Sequence, residues 1–385
     1  MKLTQEILQW QDAAQTQSAL WRAENGNPAP KRFILADDTL TADTAYKLAC
    51  EGVGLLWQGD FQNARQLLQA LARRCDRPVT KSRKQAKELV LPTPAQLFHL
   101  HRQSQSQRAR VLAMLLIPLN ADYSVPLKRA PEVLDACIET YGAITAATRN
   151  SVVSLRELQA LVGAHEWRKK GVQIAELEAQ IHPHFGVYSP VRGEYLTLVA
   201  TTPLTTTELA FDIGTGTGVL AAILAKRGVK RIIATDQDAR AIACAKENLQ
   251  RLGYDSQIEL QITDLFPEGK AALIVCNPPW VPARPSSPIE YAIFDPESRM
   301  LKGFLAGLAA HLTANGEGWL ILSDFAEHLG LRSRSELMDW IEQAGLRVID
   351  RSDVKPNHPK LSDETDVLHS ARVAEVTSLW RLAAK

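Results

Sequence analysis

A short run of glycines constrains this chain more than any other feature. Leu209-Ala-Phe-Asp-Ile-Gly-Thr-Gly-Thr-Gly-Val-Leu220 reads as a buried strand, a tight turn and the start of a helix. Gly214, Gly216 and Gly218 let the backbone turn sharply and come close to a ligand, and Asp212 stands where the strand ends. Three further strand-like runs follow. Arg231–Asp236 ends in an acid, Gln257–Thr263 leads into Asp264, and Ala271–Cys276 runs into Asn277-Pro278-Pro279-Trp280. Helical patterns at Val219–Lys226 and Ala239–Leu252 alternate with them, which predicts parallel pairing with helices on both faces. All four strand tips then lie on the carboxyl edge of one sheet and converge on one crevice. In such a sheet an acid at the second tip, here Asp236, faces the ribose of a nucleotide-like ligand.

The alternation continues with helices at Arg299–Leu312 and Arg334–Ala344 and strands at Gly318–Leu322, Arg347–Asp350 and Val373–Arg381. The expected fold of residues 201–385 is therefore α/β, a doubly wound, mostly parallel seven-stranded sheet. The turn-rich connection Asp353–Ser370 allows an antiparallel hairpin at the sheet's end. Residues 166–200 read as a linker and lead-in helix. Trp167-Arg-Lys-Lys170 and Gly171 mark the junction, Ile181–Tyr195 leads in, and the helix covers Glu194–Ala200. Residues 1–165 read as a mainly helical domain without a chemical motif. Its helices are expected at Thr41–Leu56, Asp60–Arg74, Ala95–Leu116, Ala130–Tyr141 and Ser154–Val162, with an amphipathic start through Leu8, Trp10 and Ala14. Three of the eight tryptophans fall in its first 57 residues, where core packing is the simplest role.

At 385 residues the chain is long enough for two or three domains. A net charge of +1 gives no whole-chain argument for nucleic acid. Five scattered cysteines show neither metal-ligand spacing nor a disulfide framework. The first residues, Met1-Lys-Leu-Thr-Gln-Glu6, lack the apolar core of a signal peptide, and no apolar run reaches the ~18 residues of a membrane span. These features point to a cytoplasmic protein with no membrane partner and no metal. One local feature differs. Between Arg73 and Arg110 ten Lys or Arg face two acids, a balance of +8, around His99 and His101. Such a stripe either neutralises phosphates, in a substrate-docking role, or is a solvated face balanced by acids elsewhere. His182 and His184 straddle a proline. Without Cys or acid partners in sequence they read as structural rather than as metal ligands.

The glycine pattern is G-x-G-x-G rather than the G-x-G-x-x-G of a dinucleotide site, which needs room for a pyrophosphate at the helix start. Asp212 before the turn suits a ligand with a positive end better than an anionic one. With Asp236, Asp264-Leu-Phe266 and Asn277-Pro-Pro-Trp280 at these intervals, the chain resembles the class I S-adenosylmethionine-dependent methyltransferases, which have a Rossmann-like fold. More narrowly it resembles the group with an Asn-Pro-Pro-aromatic motif after the fourth strand, whose members methylate nitrogens conjugated to planar systems. The resemblance spans roughly Phe185–Leu322. Asp264-Leu-Phe266 and the lead-in Val187-Tyr-Ser-Pro190 with Glu194 look most like the protein-glutamine methyltransferases that modify release factors.

The resemblance implies S-adenosyl-L-methionine as cofactor, and a role for each residue. Asp236 would bind the ribose hydroxyls, with Gln237 beside it, and Asp264 the adenine amino group, with Leu265 beside it. Gly214, Thr215, Gly216 and Gly218 would admit the methionine part, with Asp212 favouring its positive end. Asn277 and the Pro278 carbonyl would accept hydrogen bonds from the target NH2, aiming its lone pair at the methyl group. Pro279 would stiffen the loop, and Trp280 would stack on the planar target. The proline-rich loop Ala283–Tyr291 places Arg284, Glu290 and Tyr291 as candidates for selectivity. The acceptor is expected to be a macromolecule, either a glutamine of a translation-related protein or an exocyclic amine of ribosomal or transfer RNA. A small-molecule amine stays open, as does a non-catalytic binder, although a binder has no need for two acceptors around one nitrogen.

Overall fold

The structure is a computed structural model, and it describes residues 6–12, 15–77, 92–190, 193–357 and 359–385. The chain divides into two units, residues 1–91 with 99–166 and residues 92–98 with 167–385. Among the described residues no helix is long and apolar enough to cross a membrane.

The first unit overturns the expectation of a mainly helical domain. It contains β1 (Ile7–Asp12), β2 (Gln15–Arg22), β3 (Arg32–Ala36), α1 (Ala42–Cys50), β4 (Val53–Trp57), α2 (Phe61–Cys75), the helix α3 (Pro94–Leu112) shared with the second unit, β5 (Leu115–Leu119), α4 (Leu134–Tyr141), β6 (Ser151–Ser154) and the start of α5 (Leu155–Lys170). The six strands form one sheet in the order β1-β2-β6-β5-β4-β3. The reason lies in burial. Every residue of β4 and of β6 is buried, with Leu55 packed in one cluster and Leu56 in another. A strand covered on both faces loses its two-residue alternation and reads like a stretch of buried helix. Thr41–Leu56, expected as one helix, is in fact α1 followed by β4. Gly52, at φ 78°, makes the break in a conformation that side-chain-bearing residues rarely adopt. Likewise α3 ends at Leu112 before β5, and α5 runs on to Lys170. Leu8 and Trp10 belong to the antiparallel pair β1–β2, where Leu8 faces Ala19, and Ala14 lies outside the described residues.

Trp57 is buried and donates its indole N–H to the Asp60 carbonyl at 3.0 Å. Lys81, Arg83, Lys84 and Lys87 of the basic stretch also lie outside the described residues. Of the rest, Arg74 pairs with Asp43 at 2.8 Å and Arg108 with Asp76 at 2.7 Å, which balances part of the stripe locally.

The second unit opens with the short pair β7 (Val172–Ile174) and β8 (Ala179–Ile181) and then α6 (Glu194–Thr201). The expected α/β sheet follows as β9 (Leu209–Ile213), α7 (Val219–Lys226), β10 (Arg231–Asp236), α8 (Ala239–Leu252), β11 (Ile258–Ile262), β12 (Ala271–Cys276), α9 (Arg299–His311) and β13 (Leu312–Ser323). It ends with α10 (Phe325–His328), α11 (Arg334–Gln343), β14 (Leu346–Val354), α12 (His369–Ala374) and β15 (Thr377–Ala384). The seven strands lie in the order β11-β10-β9-β12-β13-β15-β14. The first five are parallel, while β15 runs antiparallel to both β13 and β14. The hairpin at the sheet's end is thus present, with its second strand inserted inside the first. Val373, expected in the last strand, instead falls in α12.

Apolar clusters cover both faces of the sheet. Ala210, Leu273, Val275, Trp319 and Ile321 point to one, and Phe211, Ile213, Ile274, Cys276 and Leu320 to the other. The chain leaves β9 toward β10 and later returns to its other side with β12. This is the strand-order reversal beside which ligands bind in open α/β sheets.

Where β13 meets β15, Glu317 is buried and takes two hydrogen bonds from Arg381, at 2.8 and 2.7 Å. Removing one partner of such a pair leaves an uncompensated buried charge. Arg381→Met should therefore cost about 3 kcal/mol, read as a lower urea midpoint. Adding Glu317→Gln to it should recover part of that loss, because no charge then stays buried alone.

Candidate functional site

The glycine turn is built by the strand beside it. The backbone N–H groups of Gly214 and Thr215 both donate to the Thr235 carbonyl on β10, at 2.9 and 2.8 Å. Gly214, Gly216 and Gly218 all have positive φ, at 74°, 54° and 81°. Their surroundings differ. A Cβ on Gly214 would come within 2.6 Å of the Met300 methyl, and one on Gly218 within 3.2 Å of Ala245, whereas one on Gly216 would meet nothing within 4 Å. A side chain at 214 would have to push the Met300 methyl aside and one at 218 would crowd Ala245, whereas Gly216 faces open space at the turn.

Two carboxylates flank this turn. Asp236, at the tip of β10, accepts from the N–H of Gly216 at 3.0 Å through Oδ2 and from that of Asp238 at 2.9 Å through Oδ1. Burial outweighs these bonds and raises its pKa. Asp212 is fully buried. Its Oδ2 accepts from the Thr215 hydroxyl at 2.7 Å and the Ala221 N–H at 3.1 Å, and its Oδ1 has no hydrogen-bond partner. Burial pushes its pKa up to about 6. A buried carboxylate oxygen without a donor is costly unless something else supplies one. A ligand with a positive end at the turn fits that vacancy in hydrogen bonding.

The third tip shows how Asp264-Leu-Phe266 works. Leu265 sits at φ 68°, and its carbonyl accepts from the Thr235 hydroxyl at 2.6 Å. The side chains of Leu265 and Phe266 lie against Gly303 and Gly307 of α9, where an added Cβ would approach them to 2.7 and 2.5 Å. Phe266 also stacks on His311, with ring centroids 4.3 Å apart and planes within 8°. The pair anchors the tip and leaves Asp264 exposed, where its Oδ2 forms an ion pair with Arg299. Gln237 is exposed at the neighbouring tip.

The fourth tip carries Asn277-Pro278-Pro279-Trp280. Ile213 and Cys276 are register partners in the β9–β12 pair, so Gly214 and Asn277 leave the sheet side by side. Asn277 Oδ1 accepts from the Trp280 indole N–H at 2.9 Å. Tyr195 of α6 is buried, which raises its pKa well above 10, and the nearby Asn277 side chain offsets a small part of that rise. The Tyr195 ring meets the indole edge-on, at 6.4 Å and 87°. Arg332, buried and with its pKa lowered by burial, donates to the carbonyls of Trp280 and Ser323, both at 3.4 Å. It bridges the ends of β12 and β13.

The loop after Trp280 closes on itself. Val281 N–H donates to the Ile293 carbonyl, and Asp295 N–H donates back to the Val281 carbonyl at 2.9 Å. The Asp295 carboxylate then accepts from the N–H groups of Met300 and Leu301 in the first turn of α9. Of the selectivity candidates, Arg284 and Tyr291 are exposed, whereas Glu290 braces its own loop by accepting from Ser286 N–H and Oγ. His182 Nδ1 donates to the Arg168 carbonyl and His184 pairs with Glu247, so both tie the lead-in to its surroundings. Among the described residues no group of three His, Cys, Asp or Glu is placed to hold a metal.

The structure therefore brings Asp212, Gly214, Thr215, Gly216, Gly218 and Asp236 to one turn, with Asp264 and Asn277 on the strand tips to either side. Sequence reasoning gave no role to Tyr195, Arg299, Met300 or Arg332. Only folding brings them to the tips, and none belongs to a local pattern. The glycines of α9, spaced i and i+4, were the one available signal, since that spacing lines them up on a single helix face.

Residues 178–331 match the family model of the methyltransferase small domain. A release factor glutamine methyltransferase of Cereibacter sphaeroides is 40% identical over 111 residues, 28% of this chain and 36% of the relative. A putative protein N5-glutamine methyltransferase of Methanocaldococcus jannaschii is 30% identical over 121 residues, 31% of this chain and 59% of the relative. A ribosomal protein L11 methyltransferase of Aliivibrio fischeri is 30% identical over 135 residues, 35% of this chain and 43% of the relative. The matched part thus spans less than two thirds of the length of each of these relatives.

The pKa of Asp212 gives a test of the turn. Its ordinary value is about 3.9, and in the native chain it is about 6. Between these the native state holds a proton that the unfolded state has released, so stability from this residue is lost as pH rises from about 4 to 6, by about 3 kcal/mol. In urea melts of the ligand-free protein, Asp212→Asn should gain on the wild type by that order between pH 4 and pH 7. A difference that does not change with pH would mean that Asp212 is not held in this environment. Residues 178–331, which match the methyltransferase small domain, carry both the glycine turn and the Asn-Pro-Pro-Trp tip.

Proposed function

We propose that this chain transfers a methyl group from S-adenosylmethionine to a planar amide nitrogen, the side chain of a glutamine in a protein of the translation apparatus. The observation that carries the reading is the register of β9 and β12, which sets an amide acceptor, Asn277 Oδ1, directly beside the glycine turn. When bound, S-adenosylmethionine supplies an electrophilic methyl group on a sulfonium. Asp212, Gly214, Thr215, Gly216 and Gly218 would hold its amino-acid end, with the unpartnered Asp212 oxygen suited to the positive charge. Asp236 and Gln237 would take the ribose, and Asp264 and Leu265 the adenine edge.

Asn277 Oδ1 and the Pro278 carbonyl would accept the two hydrogens of the target NH2. Two acceptors fix the nitrogen with its lone pair toward the glycine turn and offset the positive charge that builds on it. Pro279 has no N–H to compete for that carbonyl. No general base is obligatory, because the methylated nitrogen loses its proton afterwards. Two of the relatives are named for glutamine methylation and one for a ribosomal protein, which supports a protein acceptor.

The test supplies methyl-labelled S-adenosylmethionine and purified protein to lysate from cells lacking the gene. Protease-sensitive label that yields N5-methylglutamine on hydrolysis is the expected result. Ribonuclease-sensitive label would replace the glutamine with a base amine, and label confined to small molecules would replace it with a metabolite. Absence of label would leave a binder. Asn277→Ala should abolish turnover with cofactor affinity within a few-fold of wild type, and Asp236→Ala should weaken cofactor binding directly, both read by calorimetry beside the transfer assay.

A further inference from the structure

We propose that Trp280 is a positioning residue that fixes the orientation of the Asn277 amide, so that its oxygen and not its NH2 faces the acceptor nitrogen. The inference rests on the role given to Asn277 above and deepens it. The oxygen and nitrogen ends of an asparagine side chain have nearly the same shape, and a half-turn about χ2 exchanges an acceptor for two donors. A target NH2 is served only by the oxygen. Presented with the amide nitrogen, it would meet donors with a donor. A site that relies on an asparagine oxygen therefore needs something that tells the two ends apart.

The indole N–H does this, because it is a donor with no acceptor capacity. It lies 2.9 Å from Asn277 Oδ1. Turning the amide over would replace this hydrogen bond with two apposed donors in a partly buried place. The Tyr195 hydroxyl near the amide can either donate or accept and so tolerates both orientations. Discrimination falls to Trp280 alone of the two.

The indole is itself well fixed. Two prolines, each with φ locked by its ring, separate Asn277 from Trp280. The Trp280 carbonyl is held by the buried Arg332 guanidinium, and the Tyr195 ring abuts the indole edge-on. Accepting from the indole does not use up Asn277 Oδ1, since an amide oxygen has two lone pairs. One is taken by Trp280, and the other stays for the target N–H. A phenyl ring at position 280 would keep a face for stacking but would carry no donor.

The experiment is a double-mutant cycle in the full chain. Trp280→Phe should lower kcat/KM for the acceptor about tenfold, the scale of one lost hydrogen bond, with S-adenosylmethionine affinity within twofold of wild type. In an Asn277→Asp background, where both ends of the side chain accept, Trp280→Phe should have almost no further effect. An equal loss in both backgrounds would overturn the proposal, because Trp280 would then act by stacking alone, and so would full activity of Trp280→Phe. A second readout does not depend on turnover. In protein labelled with 15N at asparagine, the Asn277 side-chain NH2 signals should shift or broaden in Trp280→Phe as the amide begins to sample both orientations. Signals identical to wild type would refute the proposal. Should the wild type methylate nothing in the lysate experiment, the transfer reading fails, while the amide spectrum still decides whether Trp280 orients Asn277.

Discussion

The crevice depends on β9 having a parallel partner on each side. Hydrogen bonding to β10 fixes the Thr235 carbonyl where it receives two N–H groups of the glycine turn. Hydrogen bonding to β12 brings Asn277 out beside the same turn. A slip of one residue in either pairing would send every side chain of that strand to the opposite face. Apolar cores on both faces forbid such a slip, since Phe211 and Ile213 belong to one and Ala210 to the other. The chemistry at the tips is thus held by packing well away from it.

Each tip is secured by a different device, and the differences follow from what the tip must do. The turn after β9 uses glycines, because its backbone takes positive φ at three positions and Met300 and Ala245 crowd two of them. The tip after β11 is plugged into a glycine-lined face of α9 by Leu265 and Phe266, and Asp264 is left facing outward. The tip after β12 is stiffened by two prolines, abutted by the Tyr195 ring of α6 and tied to the end of β13 through Arg332. α9 serves two of these tips and is capped at its own start by Asp295, which reaches it from the loop that begins at Trp280. A change in that loop therefore acts on the tip after β11 as well as on the tip after β12.

The first unit shows the limit of reading order from periodicity. Where one face of an element meets solvent, as in α2 and α8, the apolar stripe and the capping acids Asp60 and Asp238 mark the helix in the sequence. Where both faces are covered, as in β4 and β6, only Val, Ile, Leu and their neighbours remain, and a strand and a buried helix look the same. The second unit escapes this ambiguity at its own buried strands. There the first four strands end beside a residue with evident chemistry, and β10 is followed by α8, whose apolar stripe is clear.

The sequence by itself determined the parallel strands of the second unit and the residues at its four tips, because glycine and proline act through local backbone geometry and an acid stands at or beside the end of each of the first three strands. It also determined that Asp212, Asp236, Asp264 and Asn277 would share one edge, since parallel pairing leaves no other arrangement. The tertiary structure alone decided the α/β character of the first unit and the insertion of β15 between β13 and β14. It alone decided the burial that lifts the pKa of Asp212, the pairing of Asp264 with Arg299, and the hold that Trp280, Tyr195 and Arg332 keep on the Asn277 tip. These depend on desolvation and on contacts between residues up to 85 positions apart, as Tyr195 and Trp280 are, and no local pattern of residues encodes such contacts.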